Sequence, residues 1–363
     1  MVTFLNGLDL ARAFYSEVVA PVVEIPHAAC LIGEGSEVLG YDTSRSTDHE
    51  WGPRVQIMVV VSEVESVRRA IDNALPISYR GYPTHWFSLA AGQVASHVEV
   101  DTAEGWLRRK LPTIPVTDAD TAAWLAAPQQ HLLQLTAGEV FRDDIGILTR
   151  LRDTYEWYPL NIWRWIVASQ WHLIGTTEPL LGRAMEIGDH RGARILGGRL
   201  CRLIMEMSYL QERRYRPYDK WFGRGFTELS AGAPLGRAID AALTQDPVIQ
   251  HDGPLQQALV QLGDRHNTLG ISEHVTPAID DFAVNANDAV RPYPVLNTAA
   301  FINAVVEAIT DAELRNLPRV GAIDQLTHVD DAMINFSSWP QSIADIYRAK
   351  LRNTRDESSG SSE

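Results

Sequence analysis

The sequence predicts an α+β protein, a small mixed-sheet layer followed by a mostly helical region. Three observations carry that prediction. Apolar runs at residues 28–32 and 55–61 alternate with helix-like segments within the first hundred residues, the pattern of strands mixed with helices. Ser96 to Asp101 alternates polar and apolar side chains, as a half-buried strand does. From Leu148 onwards strand signals nearly vanish, and Leu196, Leu200, Leu203, Met207 and Leu210 recur at the 3/4/7 spacing of a core-facing helix.

Leu10, Phe14 and Val18 follow helical spacing, with Asn6 and Asp9 as N-cap candidates. Residues 28–32 form a first strand and 55–61 a second, and a helix runs from Glu63 to Leu75, where Pro76 ends it. Residues 80–101 carry one or two further strands. Ala122 to Leu135 reads as helix and Gly138 to Gly146 as a turn-rich connector. Helices follow at about 235–245, 254–270 and 298–315. The Ser/Gly-rich end reads as disordered. The expected organisation is a first domain over residues 1–150, a helical domain over 151–345 and a disordered tail over 346–363.

A chain of 363 residues is long enough for two cores, and 45% apolar with 21% charged residues is ordinary for a globular protein. Cys30 and Cys201 are far apart, without a CxxC spacing, so no zinc site or disulfide framework can be built from them. Asp9, Arg12, Glu17 and Glu24 interrupt the first 25 residues, which argues against a signal peptide. No apolar run approaches the roughly 18 residues of a membrane span. A cytoplasmic location without membrane attachment is expected. The net charge of −14 disfavours non-specific attraction to nucleic acid, although residues 183–224 hold ten Arg or Lys against five Asp or Glu.

One stretch points to chemistry. Gly35-Ser36 closes the first apolar run, the carboxylates Asp48 and Glu50 follow one residue apart, and the second strand begins soon after. Backbone N–H groups of a tight turn favour phosphate oxygens. On an extended backbone, residues two apart point the same way, so Asp48 and Glu50 could share a magnesium ion, which takes hard oxygen ligands. Among 46 Asp and Glu residues about six such pairs arise by chance, so it is the Gly-Ser turn and the flanking strands that single this one out. A third carboxylate is expected from the next strand, Glu99 in preference to Asp101. His49 or His97 is placed to accept a proton. In the basic stretch, Arg214, Tyr218 and Lys220 are candidates for binding phosphate, with helix-end electrostatics as the competing explanation. Other sites fail on pattern. Val38 stands where a third glycine of G-x-G-x-x-G belongs, and neither G-x-x-x-x-G-K-[ST] nor H-E-x-x-H occurs.

With Gly35-Ser36 followed by Asp48-His49-Glu50, the chain resembles the nucleotidyltransferase (polymerase-beta-like) superfamily. Through Gly35 to Gly40, Asp48 to Arg54, and Glu212 to Gly223, it resembles more narrowly the proteins with domain of unknown function 4037. The resemblance implies a nucleotidyltransferase-like N-terminal domain and a helical C-terminal one, with nucleotide held between them. It departs from the superfamily where His49 and Trp51 flank the acidic pair and Gly52-Pro53 delays the strand. The expected activity is transfer of a nucleoside monophosphate from a Mg²⁺-bound triphosphate, ATP first among them, to a hydroxyl of an unknown acceptor. A small molecule is preferred there to tRNA or protein. Asp48, Glu50 and Glu99 would be catalytic and metal-binding, and Gly35, Ser36, Arg214, Tyr218 and Lys220 would hold the nucleotide. The alternatives are an inactive nucleotide- or partner-binding module, and a toxin-like transferase acting on tRNA or protein.

Overall fold

The structure is a computed structural model that describes residues 4–88, 92–115, 119–244, 250–284, 289–327 and 338–360. The fold is α+β, and the chain divides into two units, residues 1–119 with 131–156, and residues 120–130 with 157–363.

The first unit opens with helix α1 (Gly7–Phe14), capped by Asn6, whose side chain accepts the Asp9 N–H at 2.9 Å. Strand β1 (Ala28–Leu31), strand β2 (Val55–Met58) and helix α2 (Val64–Ala74) follow near their expected places. Next come the two-residue strands β3 (Ser78–Tyr79) and β4 (Tyr82–Pro83), the hairpin β5 (His85–Ser88) and β6 (Gln93–Ser96), strand β7 (Val98–Asp101) and helix α3 (Ala103–Lys110). Residues expected as one helix over 122–135 form two, α4 (Thr121–Ala126), which belongs to the second unit, and α5 (Gln129–Thr136). Pro128 explains the break, because it forces Ala127 out of the helical region, to φ −78° and ψ 116°. The expected connector at 138–146 contains strand β8 (Glu139–Asp143), followed by helix α6 (Ile147–Thr154).

Four strands form one sheet in the order β7-β2-β1-β8. β1 runs antiparallel to β2 and β8, and β2 runs parallel to β7. That topology fixes what meets at each end. The C-terminal end of β1 lies beside the N-terminal ends of β2 and β7, with Cys30, Gln56 and Glu99 in register. One face packs Leu10, Phe14, Ala29, Ile57, Val67 and Ile71 into a closed core. Gln56 braces the sheet end: its amide oxygen accepts the Ile32 N–H at 3.1 Å and its amide nitrogen donates to the Ile32 carbonyl at 3.2 Å.

The second unit is built on helix α7 (Leu160–Glu186), which buries Trp163, Trp165 and Trp171 against helix α8 (His190–Gln211) and later helices. Helices α9 (Asp219–Thr227), α10 (Gly232–Thr244) and α11 (Pro254–Asn267) follow. A hairpin of β9 (Ile279–Val284) and β10 (Ala289–Leu296) interrupts the helical pattern before α12 (Thr298–Glu307). Arg216 and Asp324 form an ion pair at 3.1 Å that is almost fully buried. Residues 346–354, expected to open the disordered tail, continue a helix spanning Ser338–Gly360; Tyr347 and Leu351 are buried there, an apolar spacing that the Ser/Gly-rich end masks. Residues 361–363 of that tail lie outside the described residues. Cys30 and Cys201 are both buried thiols.

Candidate functional site

The segment after β1 turns sharply at Gly35, whose φ of +128° lies where side chains are strained. A Cβ there would stand 2.5 Å from both an Arg54 terminal nitrogen and a Glu37 carboxylate oxygen. Glycine is therefore needed for the turn to lie on the Arg54–Glu37 ion pair, which closes at 2.6 Å with Glu37 buried. The same Arg54 nitrogen donates to the Glu34 carbonyl. Ser36 anchors the turn through its carbonyl, which accepts the Tyr41 N–H at 2.8 Å.

Asp48 ends a 3₁₀ turn, Ser44–Asp48, and is exposed. His49 Nδ1 lies 2.7 Å from its carboxylate, and that hydrogen bond holds the Asp48 carboxyl below the usual range. Glu50 then adopts a left-handed φ of +46°, unusual for a residue with a Cβ. His49 between the two carboxylates is extended, at φ −161° and ψ 150°, but the 3₁₀ turn that ends at Asp48 and the left-handed Glu50 interrupt the continuous extended run expected to aim both in one direction. Trp51 accounts for this: its indole N–H donates to Asp42 at 2.9 Å and its ring stacks on Phe4, so the chain must bend to bury it before Gly52-Pro53 leads into β2.

His97, just before β7, lies beside Glu50 at this end of the sheet. Its Nδ1 is 3.9 Å from a Glu50 carboxylate oxygen, and its Nε2 is 3.4 Å from the Trp86 carbonyl. Burial, more than any other cause, pushes the imidazole pKa down; Arg54 acts in the same sense, while Glu50 and Glu99 oppose it. The charges of Glu50, Arg54 and Glu99 are therefore all felt at one ring.

Glu99 sits on β7 beside Gln56, with its carboxylate 3.5 Å from Arg109. Asp101, the alternative third carboxylate, is at the other end of the strand pair opposite Met58; it accepts the Thr102 N–H at 2.7 Å and also pairs with Arg109. Among the described residues no three His, Cys, Asp or Glu side chains are grouped closely enough to hold a metal ion. Asp48, Glu50 and Glu99 thus approach the same end of the sheet without forming a three-ligand cluster.

Arg214, Tyr218 and Lys220 belong to the second unit. Arg214 is exposed, Lys220 lies 4.9 Å over the Trp221 ring, and the Tyr218 N–H donates to the Gln130 side chain at 2.9 Å. The sequence reading missed Glu37 and Arg54. The signal available was a charged pair flanking Gly35 and β2, which spacing alone does not distinguish from surface charge. A separate concavity of about 610 Å³ lies at the opposite end of the parallel pair, lined by Val60, Val61, Ile145 and Ile147, and holds none of the predicted residues.

Residues 124–222 match the family model described as Domain of unknown function (DUF4037). The match takes in Arg214, Tyr218 and Lys220 but none of Gly35, Ser36, Asp48, Glu50 or Glu99. No curated protein and no solved structure matches the chain.

Proposed function

We propose that the first unit is a nucleotidyltransferase that moves a nucleoside monophosphate from a magnesium-bound triphosphate, ATP in the first instance, to a hydroxyl of a small acceptor. The observation that supports this reading is the sheet register. It brings the Gly35-Ser36 turn, the Asp48–Glu50 loop, Arg54 and His97 to one end of three neighbouring strands. A phosphate-binding turn and reachable hard-oxygen donors at one edge suit a polyphosphate and its cation.

Asp48 and Glu50 are the side chains that would hold magnesium; their carboxylates are 57% and 34% exposed and so accessible to an incoming ion. Two carboxylates suffice where phosphate oxygens and water complete the shell. Bound there, the ion would offset charge on the phosphates. The acceptor hydroxyl oxygen attacks the α-phosphorus, the bond from that phosphorus to the β-bridging oxygen breaks, pyrophosphate leaves and the hydroxyl proton passes to water. The Gly35-Ser36 turn orients the phosphates, so the protein acts by positioning and electrostatics. The test is incubation of α-labelled ATP with acceptor pools, comparing wild type with the Asp48→Asn, Glu50→Gln double variant. Equal label transfer by the two proteins removes the assignment.

A second reading, nucleotide binding without turnover, is favoured by the contact of Arg109 with Glu99, which engages the expected third carboxylate at 3.5 Å. Calorimetry with Mg-ATP separates the two, since binding without label transfer to any pool selects the second.

A further inference from the structure

We infer that Arg54 is a positioning residue for phosphate binding, the clasp that sets the Gly35-Ser36 turn in the shape a polyphosphate requires. Arg54 takes this role only within the nucleotide reading above, to which it adds the group that shapes the turn.

The turn is fastened unevenly. The Gly33 N–H donates to the Gln134 carbonyl at 2.8 Å, and the Ser36 and Glu37 carbonyls accept from Tyr41 and Gly40 at 2.8 and 3.0 Å. Between these anchors Glu34 and Gly35 are exposed. Arg54 is what holds them: one of its terminal nitrogens donates to the Glu34 carbonyl and lies 2.6 Å from the Glu37 carboxylate. That single nitrogen therefore grips the chain on both sides of Gly35. The arginine is itself firmly based. Val55, the next residue, opens β2 and donates its N–H to the His97 carbonyl at 3.3 Å. The sheet thus reaches the loop through one side chain.

The way the turn is held suits an anion. The Glu34 carbonyl is tied to Arg54 and the Glu37 side chain is buried. Among the described residues, the N–H groups of Gly35 and Ser36 donate to no protein acceptor. Successive N–H groups in a turn make a concavity for phosphate oxygens. Glu37 neutralises the guanidinium, so Arg54 contributes shape here rather than charge. Lysine cannot do the same. Its ammonium is a point charge on a flexible stem that ends one bond short of the arginine terminal nitrogen, so it can pair with Glu37 without also holding the Glu34 carbonyl.

The experiment is calorimetric titration of the full chain with ATP and with inorganic tripolyphosphate, both in excess Mg²⁺. It compares the wild type, Arg54→Lys, and the Glu37→Gln, Arg54→Gln double variant, which leaves neither charge buried alone. Thermal unfolding checks the fold of each, and the double variant decides if the lysine variant alone unfolds. Both ligands should weaken by about tenfold or more at unchanged stoichiometry, the factor expected for one lost hydrogen bond to a charged phosphate. A merely structural role would lower the stoichiometry, which counts competent protein, and leave the dissociation constants as they are. That result overturns the inference, as does loss of the fold in both variants. A loss confined to ATP also overturns it, because it would set Arg54 against the nucleoside. If the wild type binds Mg-ATP and the variants bind both ligands equally well, Arg54 alone loses its role. If the wild type does not bind Mg-ATP, the nucleotide reading falls and the role of Arg54 falls with it.

Discussion

The His97 imidazole lies flat on the Trp86 indole, with ring centroids 3.7 Å apart and planes inclined by 3°. Trp86 in turn rests on Gly52, where a Cβ would stand 2.8 Å from the ring. The hairpin β5–β6 is thereby locked to the acidic loop and to the residue in front of β7, so three segments meet at one indole.

That contact makes Gly52 and Trp86 energetically coupled. Gly52→Ala forces the indole to shift and should cost about 1–3 kcal/mol, the range for overpacking a filled site. Trp86→Leu loses the stack and apolar contact. In the double variant the added methyl has room, so the two costs should sum to less than their separate values by at least 0.5 kcal/mol. Urea unfolding of the four proteins measures this; strict additivity would show that the two residues do not share the space.

Glu50 occupies a left-handed backbone position that favours glycine. A Cβ in that region costs roughly 1–2 kcal/mol, partly offset by the extra freedom glycine gives the unfolded chain. Glu50→Gly should therefore raise stability by about 0.5–1 kcal/mol in the same unfolding assay, while abolishing nucleotidyl transfer if the proposed function holds. A stability loss above 1 kcal/mol would instead assign the carboxylate to the fold.

The sheet and the long helices were legible because their side chains repeat with a period. The apolar runs of β1 and β2 and the 3/4/7 leucines of α8 stand near their expected positions. β8 was hidden because Gly138 and Gly146 enclose seven residues with three acids and an arginine, a composition that reads as turn until β1 supplies a partner edge. At the candidate site, residue types were readable and direction was not. The bend at Glu50 follows from burying Trp51, and the pairing of Glu99 follows from the chain turning after β7 so that Arg109 of α3 reaches back to Glu99 and Asp101. Both are tertiary effects that no local spacing encodes.

Glu178 lies within α7 and is 1% exposed, with its carboxyl pushed up to about 8 by burial. It accepts the Leu296 N–H at 3.0 Å, and the Gln256 amide is 3.5 Å away. At neutral pH it is a proton donor, and turning the Gln256 amide over brings Oε1, which otherwise has no partner, against that proton. Below pH 4.5 folded and unfolded chains both hold the proton. Between 4.5 and 8 only the folded chain does, so this contribution to stability declines with rising pH by up to about 1.4 kcal/mol per unit and levels off above 8. Glu178→Gln should flatten that part of the profile in urea titrations from pH 5 to 8.5. An unchanged slope would mean that Glu178 is ionised in the folded chain.

His266 should act with the opposite sign. An indole N–H can only donate, so Trp171 at 3.3 Å fixes His266 Nδ1 as an acceptor and leaves the proton on Nε2. That proton points to the Ser272 hydroxyl at 3.1 Å, which passes its own to the Glu273 carbonyl at 2.9 Å. The chain of donors is closed around a neutral ring, and a second proton on Nδ1 would face the indole N–H. Burial pushes the imidazole down to about 4. Above pH 6.5 both states are neutral and the full stability is present. From 6.5 towards 4 the unfolded chain gains a proton that the folded chain refuses, so stability falls with falling pH by up to about 1.4 kcal/mol per unit. His266→Gln removes the titrating group, and the difference between its unfolding free energy and that of the wild type, followed from pH 7.5 to 4.5, isolates this effect from other carboxylates. A difference that stays constant across that range would mean the ring accepts its second proton in the folded chain as readily as in the unfolded one.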